Sequence, residues 1–125
     1  MNQPNYFEIQ ASDPEKLIAF YSKVFNWVFT KQEGMPVEFW HITTEGIAGG
    51  LLKRPAAVPG TEQGANAFVV SMQVVSFDQT VQNIISQGGV VALPKFAVPG
   101  KCWQGYFIDT DNNTFGIFEA DPKAH

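Results

Sequence analysis

The sequence predicts an α+β fold: two tandem β-α-β-β-β modules whose strands form a curved mixed sheet, a half-barrel with the helices on the outside. Three observations predict it. A helix-start signal followed by an apolar stripe occurs twice, near Asp13 and near Ser76. Each is preceded by one strand-like run and followed by three. A stretch rich in Pro, Gly and Ala separates the halves. The expected organisation is one domain over residues 1–125, with module 1 at about 5–54, a linker at 55–66 and module 2 at 67–121.

Each element has its own reason. Asn5 to Gln10 alternates, with Tyr6, Glu8 and Gln10 on one side and Phe7 and Ile9 on the other. Asp13-Pro14-Glu15 then opens a helix. Asp13 accepts orphan backbone donors, Pro14 suits the first helical position, and Glu15 meets the positive dipole end. Leu17, Phe20, Tyr21, Val24 and Phe25 recur at helical spacing. Strand-like runs follow at 27–31, 38–43 and 47–53, the last containing Gly49-Gly50, where something approaches the backbone closely. In the second half, Ala67 to Val74 reads as a strand and Ser76 as a cap. Phe77, Val81, Ile84 and Ile85 form a stripe, and Gly88-Gly89 ends the helix. Residues 90–98 are a strand interrupted by Pro94. Residues 105–109 and 114–119 are two more, joined by a turn through Asp111, Asn112 and Asn113. Counted from Ser12 and Ser76, apolar residues fall at matching offsets in both helices.

The composition excludes several classes. The 125 residues carry a net charge of -4 and no basic run, so there is no nucleic-acid footprint. No apolar stretch approaches a membrane span. The first ten residues lack signal-peptide character, and the single cysteine, Cys102, forms no internal disulfide. The expected location is the cytoplasm, and the expected partner is a small molecule rather than nucleic acid or membrane. Neither half covers both faces of its own sheet. Pairing the halves edge to edge would leave a concave, aromatic-lined face, a natural small-molecule site.

Four stretches carry a resemblance. They are the opening FEIxxxDPExLxxFYxxVFNW, the GGLLKRP strand, the PGxxWxxYFxD segment and the closing NxFGIFEAD. In this order and spacing, over residues 5–121, the chain resembles the vicinal oxygen chelate superfamily. That superfamily holds glyoxalase I, the bleomycin and fosfomycin resistance proteins and the extradiol dioxygenases; the likeness is to its small glyoxalase-like members. It implies a concave-face site in which four strands each give one His, Gln or Glu to a divalent metal (Zn, Ni, Mn or Fe). It also implies a homodimer. Carried onto this chain, the ligand positions fall at Tyr6, within Gly50 to Leu52, at Val69 or Val70 (the repeat counted from Ser12 gives Val70), and at Gly116. Only Tyr6 among these is even a weak ligand.

The expectation is therefore a protein that binds a small organic molecule in the sheet cavity without the usual metal and with no other cofactor. The expected binding residues are Tyr6, Glu8, Trp40, Leu52, Val70, Met72, Trp103, Tyr106 and Gly116. The alternative is a lyase or isomerase resembling lactoylglutathione lyase, with Glu8 or His41 as the catalytic base. Plainer readings stand beside these: Glu8 as a rim residue, His41 as a structural histidine, Trp103 and Tyr106 as packing, Lys53-Arg54 as a solvated strand end. Asp109, Asp111 and Asn112 read as turn formers, and Cys102 as a non-catalytic thiol.

Overall fold

Local capping decides where the helices begin. In the computed structural model, which describes residues 3–58 and 68–125, the Asp13 carboxylate accepts from the Lys16 N–H at 3.3 Å. Helix α1 then runs Pro14–Phe25, and Asn26 closes it in the left-handed conformation at φ 59°. Ser76 accepts from the Gln79 N–H at 3.2 Å and opens α2, Phe77–Ser86. That helix ends in a Schellman pattern: Gly88 stands at φ 93°, and the Gly89 and Gly88 N–H groups donate to the Ile84 and Ile85 carbonyls.

The caps correct the repeat. The functional caps are Asp13 and Ser76, so the offset between the first strand and helix of each module is 63 residues (76 − 13) rather than the 64 counted from Ser12. Tyr6 is then equivalent to Val69, and Glu8 to Ser71.

The chain divides into two compact units, Met1–Val58 and Pro59–His125. In the first, β1 (Tyr6–Ala11), β2 (Val28–Gln32), β3 (Phe39–Thr43) and β4 (Ala48–Lys53) form a mixed sheet in the order β1-β4-β3-β2. β1 pairs parallel with β4, and the other pairs are antiparallel. In the second, β5 (Ser71–Gln73), β6 (Val90–Val98), β7 (Cys102–Ile108) and β8 (Thr114–Ala120) repeat this topology as β5-β8-β7-β6. Neither sheet closes into a barrel. The predicted pair of β-α-β-β-β modules is thus present.

Three boundaries differ from expectation. β5 is three residues long instead of eight; among the described residues it is an edge strand paired with β8, and Ala67, like residues 59–66 of the linker, lies outside the described residues. β7 starts at Cys102 rather than Gly105, because Gly100 turns the chain at φ 74° and frees the following residues to pair with β8. β6 is continuous through Pro94, with register shifts on both sides of Leu93; an edge strand tolerates the missing donor.

Each helix covers one face of its own sheet. In module 1, Leu17, Phe20, Tyr21 and Val24 are buried together with Trp40, Ile42 and Leu51. The Tyr21 ring stacks on Trp27 at 5.2 Å. In module 2, Phe77 and Ile84 are buried with Phe107, Phe115 and Ile117, and the Phe77 and Phe107 rings lie 6.2 Å apart. Each such side chain contributes roughly 1.5–3 kcal/mol on burial. The Phe77 N–H also donates to Glu119 Oε1 at 2.7 Å, tying the start of α2 to β8.

Candidate functional site

Period-two alternation sends the other residues of each strand to the face without a helix. In module 1 the register lays Glu8, Gly50, His41 and Thr30 in one row across all four strands. Gly50 forms the floor of this row. A Cβ there would meet the Tyr6 hydroxyl and come within 2.8 Å of Phe39 Cε2. Tyr6 Oη, leaning over Gly50, donates to Glu8 Oε2 at 3.2 Å. Partial burial, then the Glu8 charge and this hydrogen bond, push the Tyr6 phenol above its ordinary value. The His41 ring lies 3.5 Å from the Thr43 hydroxyl. Glu8 and His41 stand on either side of Gly50, two strand spacings or about 10 Å apart.

Module 2 repeats the plan with different chemistry. Ser71, Gly116 and Tyr106 share one row. A Cβ on Gly116 would meet the Ser71 hydroxyl and lie 2.9 Å from Gln104 Nε2. Gln104 Nε2 donates to Ser71 Oγ at 3.2 Å. The Tyr106 ring stacks on Phe96 at 6.3 Å. This face carries a hydroxyl, an amide and aromatic rings.

Tyr6, Glu8, His41 and Leu52 therefore share the open face of module 1, and Tyr106 and Gly116 that of module 2. Val70 lies just before β5, where its carbonyl accepts from the Gly116 N–H. Parity places the other three expected binding residues on the opposite face. Trp40 pairs with Leu51 on the helix-covered face and is buried there, with Lys31 Nζ 5.5 Å over its ring. Met72 pairs with Ile117 on the face that α2 covers. Trp103 pairs with Glu119, away from Tyr106; its Nε1–H donates to Asp121 Oδ2 at 2.9 Å, and Lys95 Nζ lies 4.9 Å over the ring. The Lys123 N–H and, next, the Trp103 indole hold the Asp121 carboxyl below its usual range. Asp109 is a turn former: its carboxylate accepts from the Asp111 and Asn113 N–H groups at 2.8 and 3.0 Å.

Ser71 and Gln104 went unrecognised in the sequence. The signal for Ser71 was present, since it precedes its helix cap by five residues as Glu8 precedes Asp13.

Residues 3–117 match the sequence profile of the Glyoxalase/Bleomycin resistance protein/Dioxygenase superfamily. The chain belongs to this superfamily. No curated protein matches it. Among solved structures, a glyoxylase/bleomycin resistance protein/dioxygenase domain from Frankia sp. EAN1pec is 15% identical with a TM-score of 0.77, covering 97% of this chain and 93% of that one. The fosfomycin resistance protein FosX from Listeria monocytogenes is 18% identical with a TM-score of 0.75, covering 94% and 90%. A variant of FosX, solved with Mn(II) and 1S,2S-dihydroxypropylphosphonic acid, is 17% identical with a TM-score of 0.71, covering 94% and 89%. At these identities the likeness shows the fold.

The superfamily's metal does not fit the residues present. With the repeat corrected, the ligand positions are Tyr6 and Gly50 in module 1 and Val69 and Gly116 in module 2. Both glycines lack a donor atom, and neighbouring side chains fill the space a ligand would use. Val69 is aliphatic. Among the described residues no three His, Cys, Asp or Glu side chains gather to hold a metal. Glu119 faces the helix side and is engaged by Phe77, and Glu38 pairs with Lys31 at 3.6 Å.

Proposed function

We propose that the protein binds a small organic molecule on the open sheet faces and does so without the metal used by superfamily members such as FosX. The observation that supports this most is the set around Gly50: a phenol, a carboxylate, an imidazole and a phenyl ring on one face, with no three metal-ligating side chains gathered among the described residues. Such a set offers hydrogen bonds and apolar surface to an organic ligand, but no Lewis acid. A thermal-shift screen of small aromatic and amphipathic compounds tests it, run once in chelator and once with Mn, Ni or Zn. Stabilisation by a compound in chelator supports the reading. Stabilisation only with added metal overturns the metal-free part, and none under either condition overturns the whole.

A second reading, a lyase or isomerase with Glu8 as base, is favoured by the Tyr6–Glu8 hydrogen bond, which presents a carboxylate and a phenol side by side. Methylglyoxal with glutathione, with and without nickel or zinc, is the discriminating substrate. Turnover that falls in Glu8→Gln supports it, and no turnover removes the glyoxalase version. Pairing of two copies through a sheet edge fits the same reading and is read by size-exclusion chromatography.

A further inference from the structure

Among the open-face strand positions of module 1, Glu8 is the charged residue, and Arg54, just beyond β4, is turned to the Gln10 carbonyl at 3.2 Å. In the module 1 sheet the cationic side chains, Lys31 and Lys53, fall on the opposite parity: Lys31 pairs with Trp40 and Lys53 with Ala11. The open-face positions of β1, β2, β3 and β4 hold no Lys or Arg. Glu8 is exposed, and among the described residues its partner is the Tyr6 hydroxyl, with no ion pair. The acidic pair Asp78 and Glu38 each meet a lysine instead. Glu8 thus presents a carboxylate whose second oxygen and remaining lone pairs face solvent.

Next to it stands apolar surface. Phe39 and Leu52 are cross-strand partners on the same face, one register step of two residues from the Glu8–Gly50–His41 row. Two residues along a strand is about 7 Å. The tip of the Phe39 ring reaches over Gly50, the residue that separates Glu8 from His41 in the row, and adds apolar surface near the carboxylate. A carboxylate with a phenol beside it, and a phenyl and a leucine side chain from the next register step, match one chemistry. We propose that module 1 selects an amphipathic organic cation, an ammonium head held at Glu8 with its apolar body on Phe39 and Leu52. A phosphonate or carboxylate is disfavoured at this point, because Glu8 opposes it and the Arg54 guanidinium at the end of β4 is engaged by the Gln10 carbonyl at 3.2 Å. The chain's net charge of -4 adds to the same preference.

This rests on the small-molecule reading above and names its ligand class. The test uses three probes of one size and three charges: benzylamine, benzyl alcohol and benzoate. Each is titrated into the full-length protein while the amide resonances of Glu8, His41 and Gly50 are followed by NMR. Benzylamine is expected to saturate those resonances at a Kd about two- to fivefold below that of benzyl alcohol, the scale of an exposed charge contact, and benzoate to bind more weakly than either. Glu8→Gln is expected to bring benzylamine to the benzyl alcohol value with the far-UV circular dichroism unchanged. Equal binding of the three probes, tighter binding of benzoate, or an unchanged preference in Glu8→Gln overturns the charge assignment and leaves small-molecule binding standing. No perturbation by any probe overturns both.

Discussion

In module 1 the hydroxyl over the glycine floor comes from Tyr6, two residues before Glu8; in module 2 it comes from Ser71, which occupies the place of Glu8 itself. The neighbouring strand gives Phe39 and His41 in module 1, and Gln104 and Tyr106 at the equivalent register in module 2. The register around the two glycines is shared, while acid and phenyl on one face become hydroxyl and amide on the other. The covered faces differ in a complementary way. At equivalent positions module 1 has the small Pro14 on its helix and the large Trp40 on its sheet, while module 2 has the large Phe77 on its helix and Gly105 on its sheet, with the ring tip 2.7 Å from where a Cβ would stand. Two cores of one topology thus exchange which element, helix or sheet, carries the bulky residue. Covered faces are constrained by volume; open faces are constrained by what they must touch.

The largest effect should come from breaking that volume exchange. Phe77→Ala removes a buried ring that rests on Gly105 and Phe107. It should cost about 4 kcal/mol by urea unfolding. The equivalent Pro14→Ala change removes a small side chain at a first helical turn and should cost less than about 1 kcal/mol. Equal costs at the two positions would show that the cores are not complementary.

A smaller effect should separate the two floors. Gly50→Ala places a methyl against Tyr6 and Phe39, both far ends of side chains, and should cost about 1–3 kcal/mol. Tyr6→Phe removes the hydroxyl in the way. The double variant should therefore lose less than the sum of the singles, by about 0.5 kcal/mol or more. Tyr6→Phe should leave the cost of Gly116→Ala unchanged, since there the obstructing atoms belong to Ser71 and Gln104. Full additivity at Gly50 would mean that the phenol does not stand over the floor.

The fold was legible because its signals are local. A proline at the first helical position, an apolar stripe and a turn through Asn112 at φ 64° are written in neighbouring residues. The cap of the first helix was half legible: Ser12 and Asp13 are both good caps, and only the bond to the Lys16 N–H decides between them. That one residue moved the equivalent of Tyr6 from Val70 to Val69. Site residues were harder, because period-two alternation tells which residues share a face but not which face a helix covers. Trp40, Met72 and Trp103 were expected on the open side for that reason. Leu51 and Ile117, buried at the matching register of the two modules, are the anchors that set the parity. Gln104 was illegible, since its role depends on reaching Ser71 from a strand 33 residues away.

The smallest expected effect concerns the proton on Tyr6, and it asks whether the charge that distinguishes the two faces is felt. Burial, the Glu8 carboxylate and the hydrogen bond to it all favour the neutral phenol, so the folded chain holds this proton to higher pH than the unfolded chain does. Above the ordinary tyrosine range near pH 10 the unfolded state then binds fewer protons than the folded one, and stability falls as pH rises. The contribution is complete below that range and is lost as pH climbs through the folded value. Tyr6 is about half exposed (49%), so the change in stability should be slight and the direct reading is the titration itself. Followed by its ring-carbon chemical shift, Tyr6 should titrate above the usual value and move back towards it in Glu8→Gln, though not all the way, because burial remains the larger cause. Ser71→Ala in module 2 should leave the curve where it was. A Tyr6 midpoint indifferent to Glu8 would mean that the carboxylate lies farther from the phenol than the 3.2 Å hydrogen bond places it.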